Sequence, residues 1–318
     1  MIIKNLKNLS QNVCKNSLIV NTILKTQVHF DIILIQEPPW SKIWKILSTL
    51  SCKGEPLMST CHHLNWISFA RIPLVNNNFP RVITYVNTRL SSLCFLLCKD
   101  IFNHRDISLI SFLNNNVCYY ILNVYSDSSH LALKYLKDTE VNINNIILMT
   151  SDFNIRDSLW DPSFSFHSSI SDNLIMIADS FNLILSSPTN PCPTRYSDTT
   201  GESNSIIDLM FLWNGSSELD CHSILPESRL SSDHTPLSIN IPIVEEIIQM
   251  SKLTIVPKSE QETTFINDII LNFKTLDTAN IMDAVNLECV VNQLRSIIDQ
   301  AWSKNAKKSK ISKHSKQW

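Results

Sequence analysis

Only three of the 318 residues are glycine. Turns that need positive φ normally draw glycine or asparagine, so asparagine has to serve in its place. The Asn-rich stretches 76–78, 114–116 and 142–145 are where this is expected. No apolar stretch approaches the roughly 18 residues that cross a bilayer, and the run Leu93–Cys98 is only strand-sized. Lys4 and Lys7 are not followed by the apolar segment of a secretion signal. The chain is therefore expected to be nuclear or cytoplasmic, not secreted, with no membrane partner. Its nine cysteines contain no CxxC pair, which fits free thiols in a reducing compartment. Cys61-His62-His63 and Cys221-His222 likewise lack the paired spacing of a zinc site. Net charge is −2, which excludes an architectural nucleic-acid binder working through overall positive charge.

What charge there is has a strongly uneven distribution. Residues 1–243 hold 17 Lys and Arg against 20 Asp and Glu, and residues 244–303 hold 4 against 9. The last fifteen residues carry Lys304, Lys307, Lys308, Lys310, Lys313 and Lys316 and no acid.

Several apolar runs end abruptly on ionisable residues. Asn145-Ile146-Ile147-Leu148-Met149-Thr150 leads into Ser151-Asp152-Phe153-Asn154. That pattern reads as a buried strand delivering Asp152 and Asn154 together, and strand alternation would point the two side chains the same way. A carboxylate and a carboxamide so placed can hold one water or one phosphate oxygen. Asp31-Ile32-Ile33-Leu34-Ile35-Gln36-Glu37-Pro38 ends on a carboxylate, and Asp233-His234 stands just before Leu237–Ile241. Unpaired carboxylates are costly to bury, so three such ends suggest one solvated or metal-binding cleft.

In order, Gln11-Asn12, Ile35-Gln36-Glu37-Pro38, Leu122-Asn123-Val124-Tyr125, Ser151-Asp152-Phe153-Asn154, Ser205-Ile206-Ile207-Asp208-Leu209 and Ser232-Asp233-His234-Thr235-Pro236-Leu237 resemble the endonuclease/exonuclease/phosphatase superfamily. Within it the chain most resembles the endonuclease domain of a non-LTR (LINE-type) retrotransposon polyprotein, over about residues 5–243. The resemblance implies a four-layer α/β sandwich of two mixed sheets flanked by helices, where periodicity alone gives only α/β. It implies magnesium as cofactor, with manganese as the other candidate. Glu37 would be a direct metal ligand, as hard cations choose carboxylate oxygens. Asn12 would support the metal or phosphate, and Asp233 would add a further metal or network acid. Tyr125 would donate to a phosphate oxygen, Asp152 would accept the proton of the attacking water, and Asn154 would orient that water. His234 would contact the scissile phosphate, held by Asp208. Ser151 departs from the family, which usually has glycine there.

Short strands are expected near 66–70, 82–86, 93–97, 107–112, 117–124, 146–150, 206–212 and 236–241, and helices over 17–27, 129–140 and 171–181. Three prolines stiffen the loop 186–204, where Arg195 and Tyr196 either reach DNA or belong to a rigid surface connection. Residues 244–264 read as a linker and 265–318 as a helical, basic extension, with helical spacing from Ile281 to Trp302. The extension resembles the junction toward a reverse transcriptase, absent here, which would add that domain and element RNA as partners in a longer polyprotein. The expected activity is nicking of target DNA for target-primed reverse transcription. Two alternatives stand beside it: a decayed remnant binding nucleic acid through its basic tail, and a superfamily phosphatase or abasic-site nuclease.

Overall fold

Runs such as Ile32-Ile33-Leu34-Ile35 are apolar on both alternating faces, so they have to be covered on both sides. The computed structural model describes residues 2–40, 44–47, 56–59, 61–71, 79–114, 117–139, 141, 143–197, 203–214, 221–245, 253–255, 258–274 and 284–308. In chain order the elements are β1 (Ile2–Asn12), α1 (Ser17–Thr26), β2 (Ile32–Gln36), β3 (Trp44–Leu47), β4 (Pro56–Ser59), β5 (Trp66–Phe69) and β6 (Val82–Asn87). They continue with β7 (Leu96–Leu97), β8 (Ile107–Asn114), β9 (Val117–Tyr125), α2 (Leu131–Asp138), β10 (Ile146–Asp152), α3 (Ser169–Ser180), β11 (Leu183–Leu185) and β12 (Ser187–Pro188). Then come β13 (Asp208–Trp213), β14 (Cys221–Ile224), β15 (Leu237–Glu245), β16 (Leu253–Thr254), α4 (Glu260–Phe273), α5 (Ala284–Asn305) and β17 (Lys307–Lys308). The chain divides into two units, residues 1–245 and 246–318.

The first unit is built on two mixed sheets, ordered β12-β14-β15-β1-β2-β6-β5 and β11-β13-β10-β9-β8-β7. Both have the same centre. In the first, the parallel pair β1 and β2 is flanked by antiparallel β15 and β6. In the second, the parallel pair β9 and β10 is flanked by antiparallel β8 and β13. Alternation along β2 divides its side chains between two cores. Ile32 and Leu34 join Ile121, Leu148 and Met210 between the sheets, while Ile33 and Ile35 join Ile19, Val20 and Ile23 of α1. A third core packs Leu133 and Leu136 of α2 and Leu174 and Ile177 of α3 against Leu122, Met149 and Phe211. Helix, sheet, sheet and helices are the four layers that the resemblance implies.

A buried polar link crosses between the sheets. Gln36 Nε2 donates to Asn123 Oδ1 at 2.8 Å and to Ser10 Oγ at 3.1 Å. Asn123 Nδ2 in turn donates to the carbonyls of Ile35 and Ile83. Gln36 Oε1 has no partner among the described residues.

Several expectations need correction. No strand is expected ahead of α1, yet β1 is central. It escapes pattern reading because Asn8, Ser10, Gln11 and Asn12 are buried in it, with Asn8 donating to the carbonyl of Leu6. Of the strand expected over 93–97 only the two-residue β7 forms, while Leu93 ends a 3₁₀ helix, Thr88–Leu93. Asn87 caps that helix by accepting from Arg89 N, and Leu90 and Leu93 are buried at the spacing of one 3₁₀ turn. Positive φ is also carried differently. Asn145, Asn154 and Asn182 adopt it, but so do Cys14, Lys15, Glu37, Cys94, His130, Leu230 and Lys258. Residues 76–78, 115, 116 and 142 of the Asn-rich stretches lie outside the described residues.

The polar stretch Lys258–Thr264 is not linker throughout. Ser259 Oγ accepts from Glu262 N, and Glu262 reaches back to Lys258 N, a capping arrangement that opens α4. Polarity there belongs to the first turn of a helix. Residues 309–318, with the last three lysines of the basic end, lie outside the described residues.

Candidate active site

Parallel pairing sends the C-terminal ends of β1 and β2 to one edge, and those of β9 and β10 to one edge of the other sheet. Asn12 and Glu37 come from the first pair, Tyr125 and Asp152 from the second. Antiparallel β13 starts where β10 ends, so Asp208 pairs with Asp152. His234 precedes antiparallel β15, whose Leu237 pairs with Ser10 near the end of β1. One edge thus collects side chains spread over more than two hundred residues.

Asn12 joins the two sheets at this edge. Its Nδ2 donates to Asp152 Oδ2 at 2.8 Å and to Glu37 Oε2 at 3.3 Å, while its Oδ1 accepts from Cys14 N at 2.8 Å. The amide nitrogen therefore faces both carboxylates. Glu37 sits just past β2 at φ 48°; its amide donates to Arg81 O, and Lys15 Nζ stands 3.5 Å from Oε1. Tyr125 is buried, close enough to Glu37 to feel its charge. Burial and the charges of Glu37 and Asp152 push its phenol strongly upward, so it stays a proton donor at any physiological pH.

His234 Nδ1 lies 2.9 Å from Asp208 Oδ2, and its Nε2 lies 3.7 Å from Asp152 Oδ2 and 4.0 Å from Asp233 Oδ2. Asp152 and Asn154 meet, but not through strand alternation. β10 ends at Asp152, and Asn154 is turned back at φ 51°. Asn154 N donates to Asp152 Oδ1 at 3.0 Å, and its Nδ2 donates to Asp152 Oδ2 and to Ser126 O. The Asn154 amide nitrogen is thereby committed to protein acceptors. Ser151 is accommodated without positive φ, its buried hydroxyl donating to the carbonyl of Asp152.

Burial opposes a charge on His234, but Asp208, and after it Asp152 and Asp233, outweigh burial and raise the pKa to about 10. Burial and the neighbouring Asp208 charge hold the Asp152 carboxyl well above the ordinary carboxylate range. Both shifts have the same sign for stability. Charged His234 contributes fully below its unfolded value of 6.5 and loses that contribution as pH rises through its folded value. Asp152, bound to its proton more tightly when folded, also loses stability as pH rises from its unfolded value of 3.8. In chelator, the melting temperature is thus expected to fall steadily from pH 6 to 10, and Asp208→Asn to flatten the slope. Scanning fluorimetry across that range checks this; a flat or rising curve for the unaltered chain would contradict it.

The carboxylates of Glu37, Asp152 and Asp208 form a set of hard oxygen donors of the kind that magnesium and manganese take. The buried Asp152–Asp208 pair, countered by one imidazole, leaves negative charge that a divalent cation would offset. Asp152, Asp208 and His234 offer one ligand atom each within 4.8 Å of one another. Asp233 stands on another side, its Oδ1 accepting from Cys14 Sγ at 2.6 Å and its Oδ2 lying 3.6 Å from Arg195 Nε.

The sequence reading missed Arg81. Its guanidinium grips Asp106 through two 2.5 Å bonds, reaches Asp127 at 2.8 Å, and covers the Tyr125 ring at 4.8 Å. Only the Arg-Val start of β6 marks it, and that is no signal. A cleft of about 330 Å³ opens beside Glu37, lined by Lys15, Trp40, Phe79, Arg81 and Arg105 among others.

Arg195 and Tyr196 are wired to this edge. The Arg195 backbone bridges to Ser205 and to His234, Tyr196 N donates to Asp233 O at 2.8 Å, and the Tyr196 ring carries the Arg229 guanidinium at 4.5 Å. Thr194 Oγ1 accepts from Asp208 N, so the proline-rich loop also fixes the partner of His234.

Residues 119–238 match the family described as Endonuclease-reverse transcriptase. No curated protein matches the chain. Among solved structures, the endonuclease domain of TRAS1, a telomere-specific non-LTR retrotransposon, is similar at 16% identity and TM-score 0.50, covering 75% of this chain and 98% of that one. An endonuclease/exonuclease/phosphatase family protein from Leptotrichia buccalis is similar at 12% identity and TM-score 0.43, covering 75% and 100%. A humanized D. rerio TDP2 is similar at 10% identity and TM-score 0.42, covering 76% and 99%. The chain thus has the sandwich fold of the endonuclease/exonuclease/phosphatase superfamily and resembles, within it, the endonuclease domain of a non-LTR retrotransposon.

Proposed function

We propose that the chain is a magnesium-dependent DNA endonuclease that nicks one strand of target DNA, leaving a 3′ hydroxyl for primed reverse transcription. The observation that carries this reading is the meeting of Glu37, Asn12, Tyr125, Asp152, Asn154, Asp208 and His234 at one edge of both sheets. Glu37, with the nearby carboxylates, would hold the cation, which when bound supplies charge neutralisation at the phosphate.

The chain's own groups divide the remaining work. Asp152, with its raised pKa, accepts a proton from water near neutral pH. The free oxygen of Asn154 orients that water, since its amide nitrogen is already committed. Tyr125 donates to a phosphate oxygen. His234, positively charged and held by Asp208, faces the phosphate with Nε2 and stabilises negative charge there. Asn12 holds Glu37 and Asp152 at fixed spacing rather than presenting its oxygen. Asp233 anchors Arg195 beside the site, where Arg195 and Tyr196 contact DNA.

Residues 1–243 form the nuclease, the segment from 244 to the start of α4 connects it, and α4 with the rest of the chain forms a junction toward a reverse transcriptase in a longer polyprotein. Supercoiled plasmid incubated with the full chain and magnesium is expected to convert to open circle, and EDTA to abolish conversion. Conversion undiminished in EDTA, or none by folded protein, would refute this activity.

A further inference from the structure

Facing His234 from the end of β1 is a thiol that the nuclease chemistry does not use. Cys14 and Lys15 adopt left-handed φ of 48° and 59° in succession. The turn is held by Lys15 N donating to Glu37 O and Asn16 N donating to Val13 O, both at 2.8 Å. It brings Cys14 Sγ to 2.6 Å from Asp233 Oδ1 and 3.8 Å from Ser232 Oγ. Asp233 Oδ2 lies 4.0 Å from His234 Nε2. Cys14, Asp233 and His234 each offer one ligand atom within 4.8 Å of the others, and Cys14 is exposed, so an ion has access.

These donors differ in kind from the oxygens around Glu37. Thiolate and imidazole select zinc over magnesium. Tetrahedral zinc, with bonds of about 2.0–2.3 Å, needs ligand atoms roughly 3.2–3.8 Å apart. Cys14 Sγ lies 2.6 Å from one Asp233 oxygen and His234 Nε2 4.0 Å from the other, and the three ligand atoms lie within 4.8 Å of one another, so side-chain rotations bring them to that spacing. His234 is also oriented as zinc-bound histidines usually are, its far nitrogen held by a carboxylate.

We propose that Cys14 Sγ, the Asp233 carboxylate and His234 Nε2 form an inhibitory zinc site with an open fourth position. Binding replaces the thiol proton and the Nε2 proton, both released to solvent, and involves no redox change. It also removes His234 from the phosphate, so the inhibitory arm rests on the nuclease reading while the binding arm does not.

Cobalt titration of the full chain tests the site, because a thiolate ligand gives cobalt(II) an intense near-ultraviolet charge-transfer band. The band is expected to saturate at one equivalent, to be displaced by zinc, and to vanish in Cys14→Ser with the melting temperature unchanged. His234→Gln is expected to weaken cobalt binding at least tenfold. Zinc should inhibit magnesium-dependent nicking by the unaltered chain and spare Cys14→Ser. A band that survives in Cys14→Ser would assign it to another of the cysteines and overturn the site, and equal zinc inhibition of both proteins would overturn its inhibitory role. A band without any nicking would instead leave the site standing and remove the nuclease reading.

Discussion

Asp152→Asn is expected to lower the plasmid-nicking rate by about 10²–10⁴, the usual contribution of a positioned general base, while leaving the protein folded. The change is nearly isosteric. It retains one oxygen to accept from Asn12 Nδ2 or Asn154 N, which contact Asp152 at 2.8 and 3.0 Å, and it removes the charge together with one of the two acceptors. Because burial and Asp208 already disfavour that charge, the variant is expected to melt at or above the temperature of the unaltered chain in chelator. Asp152→Ala should lose as much activity but melt lower, since it removes the acceptor of Asn12 Nδ2, Asn154 N and Asn154 Nδ2. Single-turnover nicking and thermal melts on the same preparations separate these outcomes. Full activity in either folded variant would remove Asp152 from the reaction.

Arg81→Ala is expected to destabilise the protein by about 3 kcal/mol, the lower end for removing one partner of a buried ion pair. Asp106, whose side chain is 1% exposed, would lose both short bonds. Arg105 Nε at 3.6 Å remains beside it and softens the loss. For a unit of this size the melting temperature should fall by roughly 6–12 °C. Arg81→Lys should recover only part, because an ammonium cannot bind Asp106 in a fork while also reaching Asp127 and the Tyr125 face. Equal melting temperatures for Arg81→Ala and the unaltered chain would show that the pair contributes nothing. Nicking should also drop in Arg81→Lys, through Tyr125, even where the fold is retained.

The parts of the site legible in the sequence share one property: each sits where an apolar strand stops. Glu37 after Ile32–Gln36, Asp152 after Ile146–Ser151 and His234 before Leu237 announce themselves by the contrast between a buried run and an ionisable end. Asn12 lacks that contrast, since β1 buries amides and a hydroxyl and is a central strand only because β2 and β15 cover its edges. Arg81 and Asp106 are 25 positions apart, and Cys14 and Asp233 are 219 apart. No local pattern links them, because the first contact exists only once the two sheets have met and the second only once β15 has paired with β1. The same holds for Asn154, whose approach to Asp152 depends on a left-handed residue and not on strand period. Composition misread the start of α4 because a capping turn and a linker use the same polar residues.

The Gln36–Asn123 bond has a meaning that cohesion does not exhaust. A pair of leucines would hold the two sheets together at least as well, and would spare the orphaned Gln36 oxygen. What the amides fix is phase. Gln36 immediately precedes Glu37, and Asn123 stands two positions before Tyr125, which pairs with Asp152. The clasp works like the index pin of a two-plate instrument: the plates stay bolted without it, but their scales no longer agree. A chain that lost it would still be a sandwich, with its two half-sites out of step.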